Sequence, residues 1–262
     1  MENFRNVGKP EVRIDGREKV SGAAIYAADL DFGPNLLHAH VVESTEASAE
    51  LVSIDVAEAL KVEGVVGVFT GKDFPGYQFG LYMKDRYIFA QDKVRFLGEQ
   101  VAAVVARCPK AAKKAAGLVR VTYRKLPAVL DQMEALKEDS PLIHPDLEHY
   151  GHVPWFFPKA KTNIAHWRKV RKGDPEKGFA EADYILEDSY HVPRYAHCAI
   201  EPHCAIGKFD HSGRLTVWAT SQSPHTQRHI FAEALAPLGL THQDVRVIAP
   251  HVGGGFGGKA GI

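Results

Sequence analysis

Cysteine is scarce in this sequence, and its scarcity limits the kind of protein that it encodes. Cys108, Cys198 and Cys204 are the three cysteines among 262 residues. Three are too few for the disulfide framework of a small secreted domain, and an odd number leaves at least one thiol unpaired. They also form no pattern that binds an iron–sulfur cluster. We therefore expect a protein of a reducing compartment.

Net charge, long apolar runs and repeats are also missing. Lys and Arg together number 32, as do Asp and Glu, so the formal net charge is zero. This balance gives no electrostatic reason to bind nucleic acid or an anionic membrane. No apolar run approaches membrane-spanning length, and residues 1–6 lack the apolar core of a signal peptide. These absences predict a cytoplasmic protein with neither nucleic acid nor membrane as a partner.

The most distinctive stretch is a glycine loop (residues 253–258) that follows a β-prone run at 245–249. Five of its six residues are glycine, and Phe256 has the only side chain. Glycine allows positive φ and close approach of a ligand, so successive N–H groups can bind an anion or oxo group. The loop also fits G-x-G-x-x-G, but a dinucleotide fold needs a following helix and acidic residue. A flexible tail is a second alternative, which the preceding strand disfavours.

A companion motif, Thr220-Ser-Gln-Ser-Pro-His225, lies about thirty residues upstream. Ser223 is predicted to be an N-cap and Pro224 the first residue of a helix. Gln222 would then precede a helix N-terminus, whose free N–H donors and partial positive charge suit an anionic or oxo-bearing ligand. The alternative for Gln222 is an ordinary polar residue in a strand-to-helix turn.

Together, the two motifs resemble the molybdopterin-binding subunit of the xanthine dehydrogenase and aldehyde oxidase family of molybdenum hydroxylases. The resemblance implies a molybdenum–molybdopterin cofactor, with the cytosine dinucleotide form as one alternative. The cofactor contacts that it implies are Gln222, Gly255, Phe256 and Gly257. Gln222 and Phe256 would lie near the molybdenum without being direct side-chain ligands. Glu201 and His203 would support the cofactor loops without contacting the cofactor directly.

Strands and short helices alternate in the first half of the chain and predict an α+β unit at 12–132. Strands are expected at 36–42, 51–56, 65–70 and 118–123, and residues 96–106 are expected to form a turn that leads into a buried strand. Helices are expected at 57–63 and from Pro109. This unit resembles the α/β-hammerhead domain of the same family in three segments: Lys19-Val-Ser-Gly-Ala-Ala-Ile-Tyr26, residues 98–106 and Tyr123-Arg-Lys-Leu-Pro127. The fold class expected is α+β, with the hammerhead domain followed by the first part of a molybdopterin-binding α+β domain.

The remainder of the chain is predicted to contain a linker at 133–162 and the partial cofactor domain at 163–262. The linker would pack across the first domain. Asp174 is expected to cap a helix that starts at Pro175, and residues 184–190 are expected to form a strand. Glu99 either reaches the cofactor site or stabilises a turn.

Two histidine-containing segments raise the question of another metal. His38 and His40 share one face of a predicted buried strand. Residues 197–204 contain two His-Cys pairs, which zinc accepts as ligands. Their spacing is not that of a zinc knuckle, and in an extended strand the two residue types would point to opposite faces. We expect packed or surface histidines instead, with Cys198 and Cys204 in the core.

The resemblance implies part of a multi-subunit enzyme that oxidises a heterocycle or aldehyde-type carbon with water as the oxygen source. The partners would be an iron–sulfur (2Fe–2S) subunit, an FAD subunit, a chain with the rest of the molybdopterin domain and a small-molecule substrate. The family's glutamate base lies beyond residue 262, so we expect no catalytic residue in this chain and no activity without partner chains. Ala260 stands where an acidic substrate-binding residue often follows the loop lysine, which disfavours a purine.

Two alternatives to this function are open. A catalytically silent fragment or interaction module would retain the fold without cofactor. A carbon monoxide dehydrogenase is disfavoured, because the sequence shows no reactive cysteine loop of that group.

Overall fold

A computed structural model describes residues 5–261 of the chain. The predicted absence of a signal-peptide core concerns residues 1–6, of which 1–4 lie outside the described residues. Residue 262, the last of the predicted cofactor domain, also lies outside them. The described chain divides into two compact units, one of residues 33–196 and one of residues 5–32 with 197–261.

Strands and helices alternate through both units. The strands are β1 (His38–Glu43), β2 (Ala49–Asp55), β3 (Val65–Thr70), β4 (Gln78–Phe79), β5 (Arg86–Tyr87), β6 (Lys93–Val94), β7 (Gln100–Ala106), β8 (Arg120–Lys125), β9 (Ala205–Phe209), β10 (Leu215–Ala219) and β11 (Val245–Ile248). The α-helices are α1 (Gly16–Ser21), α2 (Ala57–Leu60), α3 (Pro109–Ala116), α4 (Pro175–Ala180) and α5 (Pro224–Ala234). Short 3-10 helices are Ala27–Asp29, Gly71–Asp73, Glu134–Leu136, Leu147–His149 and Ala236–Leu238.

The unit of residues 33–196 is built on antiparallel sheets with the strand orders β1-β7-β3, β6-β2-β8 and β4-β5. The central strand β7 is almost wholly buried. Helix α3 covers the β7 sheet with a face of alanines, and its lysines are exposed, as its sequence pattern predicts. The buried alanines are Ala111, Ala112, Ala115 and Ala116.

Strand β1 corrects one prediction for this unit. The apolar run at 36–42 predicts a buried strand, but β1 has mostly exposed residues. It pairs with β7 on one side and is the edge of its sheet. Apolar composition alone does not distinguish an edge strand from a central one, because burial depends on what covers the strand.

The predicted linker packs on the hairpin region of the same unit. The N–H of Lys84 donates to the carbonyl of Gly151 at 2.8 Å, and the N–H of Val153 donates to the carbonyl of Tyr82 at 3.0 Å. Tyr82 also stacks on Phe156, with ring centroids 6.2 Å apart. Residues 151–156 of the predicted linker therefore contact the loop between β4 and β5.

Helix α4 begins as predicted, but the strand expected after it does not form. The Asp174 carboxylate accepts the N–H of Lys177 at 3.1 Å and caps the helix, whose first residue is Pro175. Residues 184–190 have no strand structure, and side chains such as Leu186 are exposed. A strand needs a hydrogen-bonded neighbour, and the described residues supply none at this segment.

The second unit contains a three-stranded sheet in the order β11-β10-β9. Strand β10 is antiparallel to β9 and parallel to β11, with α5 connecting the two parallel strands. Leu215, Val217 and Ala219 form the buried core beneath the helix. Because parallel neighbours end at the same edge, the segments after β10 and β11 emerge side by side. These segments contain Gln222 and the glycine loop.

The N-terminal segment of this unit packs against the start of the loop. Helix α1 ends at Ser21 and is followed by Gly22, which has a φ of 75°. The carbonyl of Ile25 accepts the N–H of His251 at 3.2 Å, and the His251 ring contacts the Glu18 carboxylate at 2.9 Å. Within residues 5–261, no helix combines the length and apolarity needed to cross a membrane.

Candidate functional site

Gln222 lies in a tight connection between β10 and α5. Thr220 and Ser221 are buried there, and their hydroxyls accept the N–H groups of Cys204 at 3.1 Å and Ser223 at 3.0 Å. Pro224 is the first residue of α5, as predicted, although the Ser223 side chain makes no capping bond. The connection therefore places Gln222 just before the helix N-terminus.

The side chain of Gln222 is hydrogen-bonded to the end of the glycine loop. Its Oε1 accepts the N–H of Gly257 at 3.0 Å and that of Lys259 at 3.2 Å. The N–H of Gln222 donates to the carbonyl of Lys259 at 2.9 Å. Because both groups facing the amide are donors, its oxygen must point at the loop. The Nε2 donor then belongs to an exposed residue and has no acceptor among residues 5–261.

The glycines of the loop are required by close contacts and by backbone conformation. A Cβ at Gly255 would lie 2.4 Å from both Cδ and Oε1 of Gln222. Gly254 and Gly257 have φ of 99° and 93°, and Phe256 has a φ of 49°. A non-glycine residue rarely adopts this left-handed conformation, so the position of Phe256 is an unusual feature of the loop.

Several N–H groups of the loop lack a partner within the described part of the chain. They belong to Gly254, Gly255 and Phe256. Gly257 is also a predicted cofactor contact, and its N–H donates to Oε1 of Gln222. The site thus combines free backbone donors with one free side-chain donor, which suits an oxo or anionic group.

Glu201, which is predicted to support the cofactor loops, contacts the glycine loop. Its Oε2 accepts the N–H of Gly253 at 2.7 Å and the Lys259 ammonium at 2.8 Å. The Lys259 side chain is 1% exposed, and its Nζ also donates to the carbonyl of Glu201 at 2.8 Å. No feature of the sequence pattern predicts that this lysine is buried. The position of a lysine directly after the glycines is the only signal that it contributes to the loop.

His203 lies beside the loop but makes no hydrogen bond with the described residues. It lines a cavity of about 350 Å³ with His197, Cys198 and three loop-side residues, Gly255, Gly258 and Lys259. The prediction that Cys198 is a core residue is wrong, because the side chain is exposed and its φ is 47°. Residues 197–204 form no strand, so no regular pattern buries it.

Cys204 is only partly buried, and its surroundings favour the protonated thiol over the nucleophilic thiolate. Burial, with a smaller effect of the Glu201 charge, raises the pKa of this thiol above its ordinary value of 9.0. Among residues 5–261, no three His, Cys, Asp or Glu side chains are arranged to hold a metal ion. His38 is half-buried and His40 exposed on the edge strand β1.

Glu99 stabilises a turn in the unit of residues 33–196. Its carboxylate accepts the N–H of Arg95, and its backbone carbonyl accepts the N–H of Ser44 at 2.8 Å. Burial raises the pKa of the carboxyl above its ordinary value of 4.5. Of the two roles that the sequence leaves open for this residue, the structure supports the turn.

Comparisons with known proteins match both parts of the chain. Residues 21–127 match the aldehyde oxidase and xanthine dehydrogenase a/b hammerhead domain, and residues 156–262 match the molybdopterin cofactor-binding domain. The chain is 35% identical to the nicotinate dehydrogenase large molybdopterin subunit of Eubacterium barkeri, covering 98% of this chain and 56% of that protein. It is 32% identical to mouse (Mus musculus) xanthine dehydrogenase/oxidase, covering 97% of this chain and 17% of that protein.

Solved structures agree with these matches. A reconstituted CO dehydrogenase from Oligotropha carboxidovorans has a TM-score of 0.80 and 28% identity, covering 97% of this chain and 32% of the other. The aldehyde oxidoreductase of Desulfovibrio gigas has a TM-score of 0.79 and 28% identity, covering 94% and 27%. The fold is therefore a mixed α/β one, with a hammerhead domain and part of a molybdopterin-binding domain. The chain belongs to the molybdenum hydroxylase large-subunit family and matches the N-terminal portion of larger homologues.

Proposed function

We propose that residues 1–262 are part of a molybdenum hydroxylase and contribute Gln222 and the glycine loop to its molybdopterin site. The observation that carries this proposal is the orientation of the Gln222 amide. Its oxygen is bonded to Gly257 and Lys259, while Nε2 is exposed without an acceptor from the described residues. A donor fixed in this way, beside a glycine backbone, needs no rearrangement to meet an oxo group.

The donor set at the loop fits such a cofactor. Free N–H groups at Gly255 and Phe256 add to the amide of Gln222. The carboxylate in hydrogen-bond contact with the loop, Glu201, is neutralised by Lys259 and does not repel an anionic ligand. When bound, the molybdenum–pterin group would hydroxylate a heterocyclic or aldehyde-type carbon with water as the oxygen source. Gln222 and Phe256 would lie near the molybdenum without being ligands.

A general base and the electron-transfer groups are proposed to come from outside these residues. The Oε2 of Glu201 is bonded to Gly253 and Lys259, and its Oε1 is buried without a partner among the described residues, so neither oxygen is exposed to take a proton from a substrate. We propose that 2Fe–2S and FAD lie on partner chains and that the complex is cytoplasmic. Domain limits of 12–132 and 163–262, with a linker between them, remain part of this proposal.

Ala260 bears on the substrate. Its side chain is a methyl group directly after the loop lysine, so it offers neither a charge nor a hydrogen bond to a polar ring edge. We therefore propose a substrate other than a purine.

The direct test is to purify the protein that contains this chain from its native source. Molybdenum would be measured by elemental analysis and pterin by fluorescence after oxidative release. We expect nearly one molybdenum per chain, together with iron, flavin and the rest of the cofactor domain. A protein without molybdenum and pterin would reject the proposal and favour a module that keeps the fold without cofactor.

Two substitutions at Gln222 separate its bond to the loop from its bond to the cofactor. Gln222→Glu keeps an oxygen toward the loop but replaces the Nε2 donor by a charged acceptor, so the loop should persist while cofactor retention falls about ten- to a hundredfold. Gln222→Ala removes both contacts and should loosen the loop as well. Gln243→Glu is the matched control, because Gln243 is exposed and lies outside the loop. Normal molybdenum content in Gln222→Glu would contradict the assignment.

A further inference from the structure

The single lysine of the glycine loop region is withdrawn from solvent. Lys259 is 1% exposed, and its ammonium contacts one carboxylate, that of Glu201, which is 11% exposed. A buried ammonium is stable only when it is paired and hydrogen-bonded. Lys259 is therefore not available to bind an anionic ligand, although a lysine after glycines often has that role.

The partner of this lysine is also bonded to the opposite end of the loop. Glu201 exchanges two bonds with Gly253, since its Oε2 accepts the N–H at 2.7 Å and its own N–H donates to the carbonyl at 3.2 Å. A Cβ at Gly253 would lie 2.6 Å from the Glu201 Cβ, so only glycine leaves room for the Glu201 side chain at this position. One residue therefore joins the first glycine of the loop to the lysine that follows the last one.

We propose that Glu201 and Lys259 form an ionic latch that closes the glycine loop and thereby positions the free N–H of Phe256. Phe256 lies between the two latched ends in a left-handed conformation, which persists only where its surroundings enforce it. Lys259 is thus a positioning residue. The latch is a property of the chain alone, while its effect on cofactor retention rests on the function proposed above.

The charge balance of the latch gives a distinctive prediction. Removing one partner leaves the other charge buried and unpaired, which lowers the stability of the fold strongly. Replacing both charges by uncharged groups changes the stability little. Glu201→Gln and Lys259→Met should each speed amide exchange across residues 251–261 about tenfold or more, and the double substitution should restore much of the protection. A residue that only fills space would give additive effects instead.

The experiment compares the full native protein with these three variants and with Val217→Ala. Val217 is buried in the core beneath α5, which includes neither Glu201 nor Lys259, so its truncation destabilises this unit without removing either partner of the latch. Hydrogen exchange by mass spectrometry reports the loop, and molybdenum and pterin contents report retention. The single variants are compared with Val217→Ala after correction for any difference in melting temperature. At an equal fall in melting temperature, we expect each single variant to lose more amide protection in the loop, and more cofactor, than Val217→Ala does.

Recovery in the double variant supports the latch, and additive losses or losses equal to those of Val217→Ala overturn it. If a single variant does not accumulate as folded protein, the double variant decides, since the latch requires it to fold. A native protein without pterin would reject the proposed function, but the exchange measurements would still test the latch.

Discussion

Replacing Gly255 by Ala is the sharpest test of the contact between Gln222 and the loop. The new Cβ would lie 2.4 Å from Cδ and Oε1 of Gln222 and 2.7 Å from its Cγ. Since such overlaps do not occur, the side chain must turn away and lose its bonds to Gly257 and Lys259. Two neutral hydrogen bonds contribute about 1–3 kcal/mol, and the exposure of Gln222 places the loss toward the lower end, about 1–2 kcal/mol.

The assay is denaturant unfolding of the full protein, in a cycle with Gln222→Ala. Removing the Gln222 side chain relieves the overlap, so the double variant should be no less stable than Gln222→Ala alone. Gly178→Ala is the matched control, because nothing lies within 4 Å of a Cβ in that α4 position; it should be stabilising by up to about 1 kcal/mol. If Gly255→Ala has the same cost whether or not Gln222 is present, the contact does not exist.

Two further predictions concern the unit of residues 33–196. Asp174→Ala removes the cap on the Lys177 N–H and should cost about 1 kcal/mol of local stability; unchanged amide exchange in α4 would contradict this. Burial, with the charge of Arg95, lowers the pKa of His144 below its ordinary value of 6.5. The unfolded chain therefore binds this proton at higher pH than the folded chain, and stability falls as the pH drops through 6.5. The fall between roughly pH 7.5 and pH 5 should be smaller in His144→Gln, and equal falls would contradict the assignment.

Local sequence signals predicted the elements that position the site. Proline at the first helical position and a polar residue before it indicated the starts of α4 and α5, and both starts are confirmed. The alanine face of α3 was predicted because its spacing follows the helical period. These signals succeed because capping and amphipathic spacing act within one or two turns of chain.

Features that depend on distant residues were not predictable in the same way. The strand expected at 184–190 has the right composition but no neighbouring strand in the described residues. The burial of Lys259 depends on Glu201, which is 58 residues away in sequence. Cys198 was assigned to the core from its residue type, yet it is exposed. In each case tertiary contacts, and not local preference, decide the outcome.

The contacts of the loop also limit what the chain can do by itself. The Lys259 ammonium is paired with the Glu201 carboxylate. The same carboxylate accepts the N–H of Gly253, so it is bonded to both ends of the loop. Gln222 uses its oxygen for the loop and retains one donor for a ligand. An amide nitrogen can orient an oxo group, but it cannot remove a proton from water or substrate at neutral pH. We therefore expect no turnover by residues 1–262 alone with an artificial electron acceptor, and measurable turnover would show that a base exists among these residues.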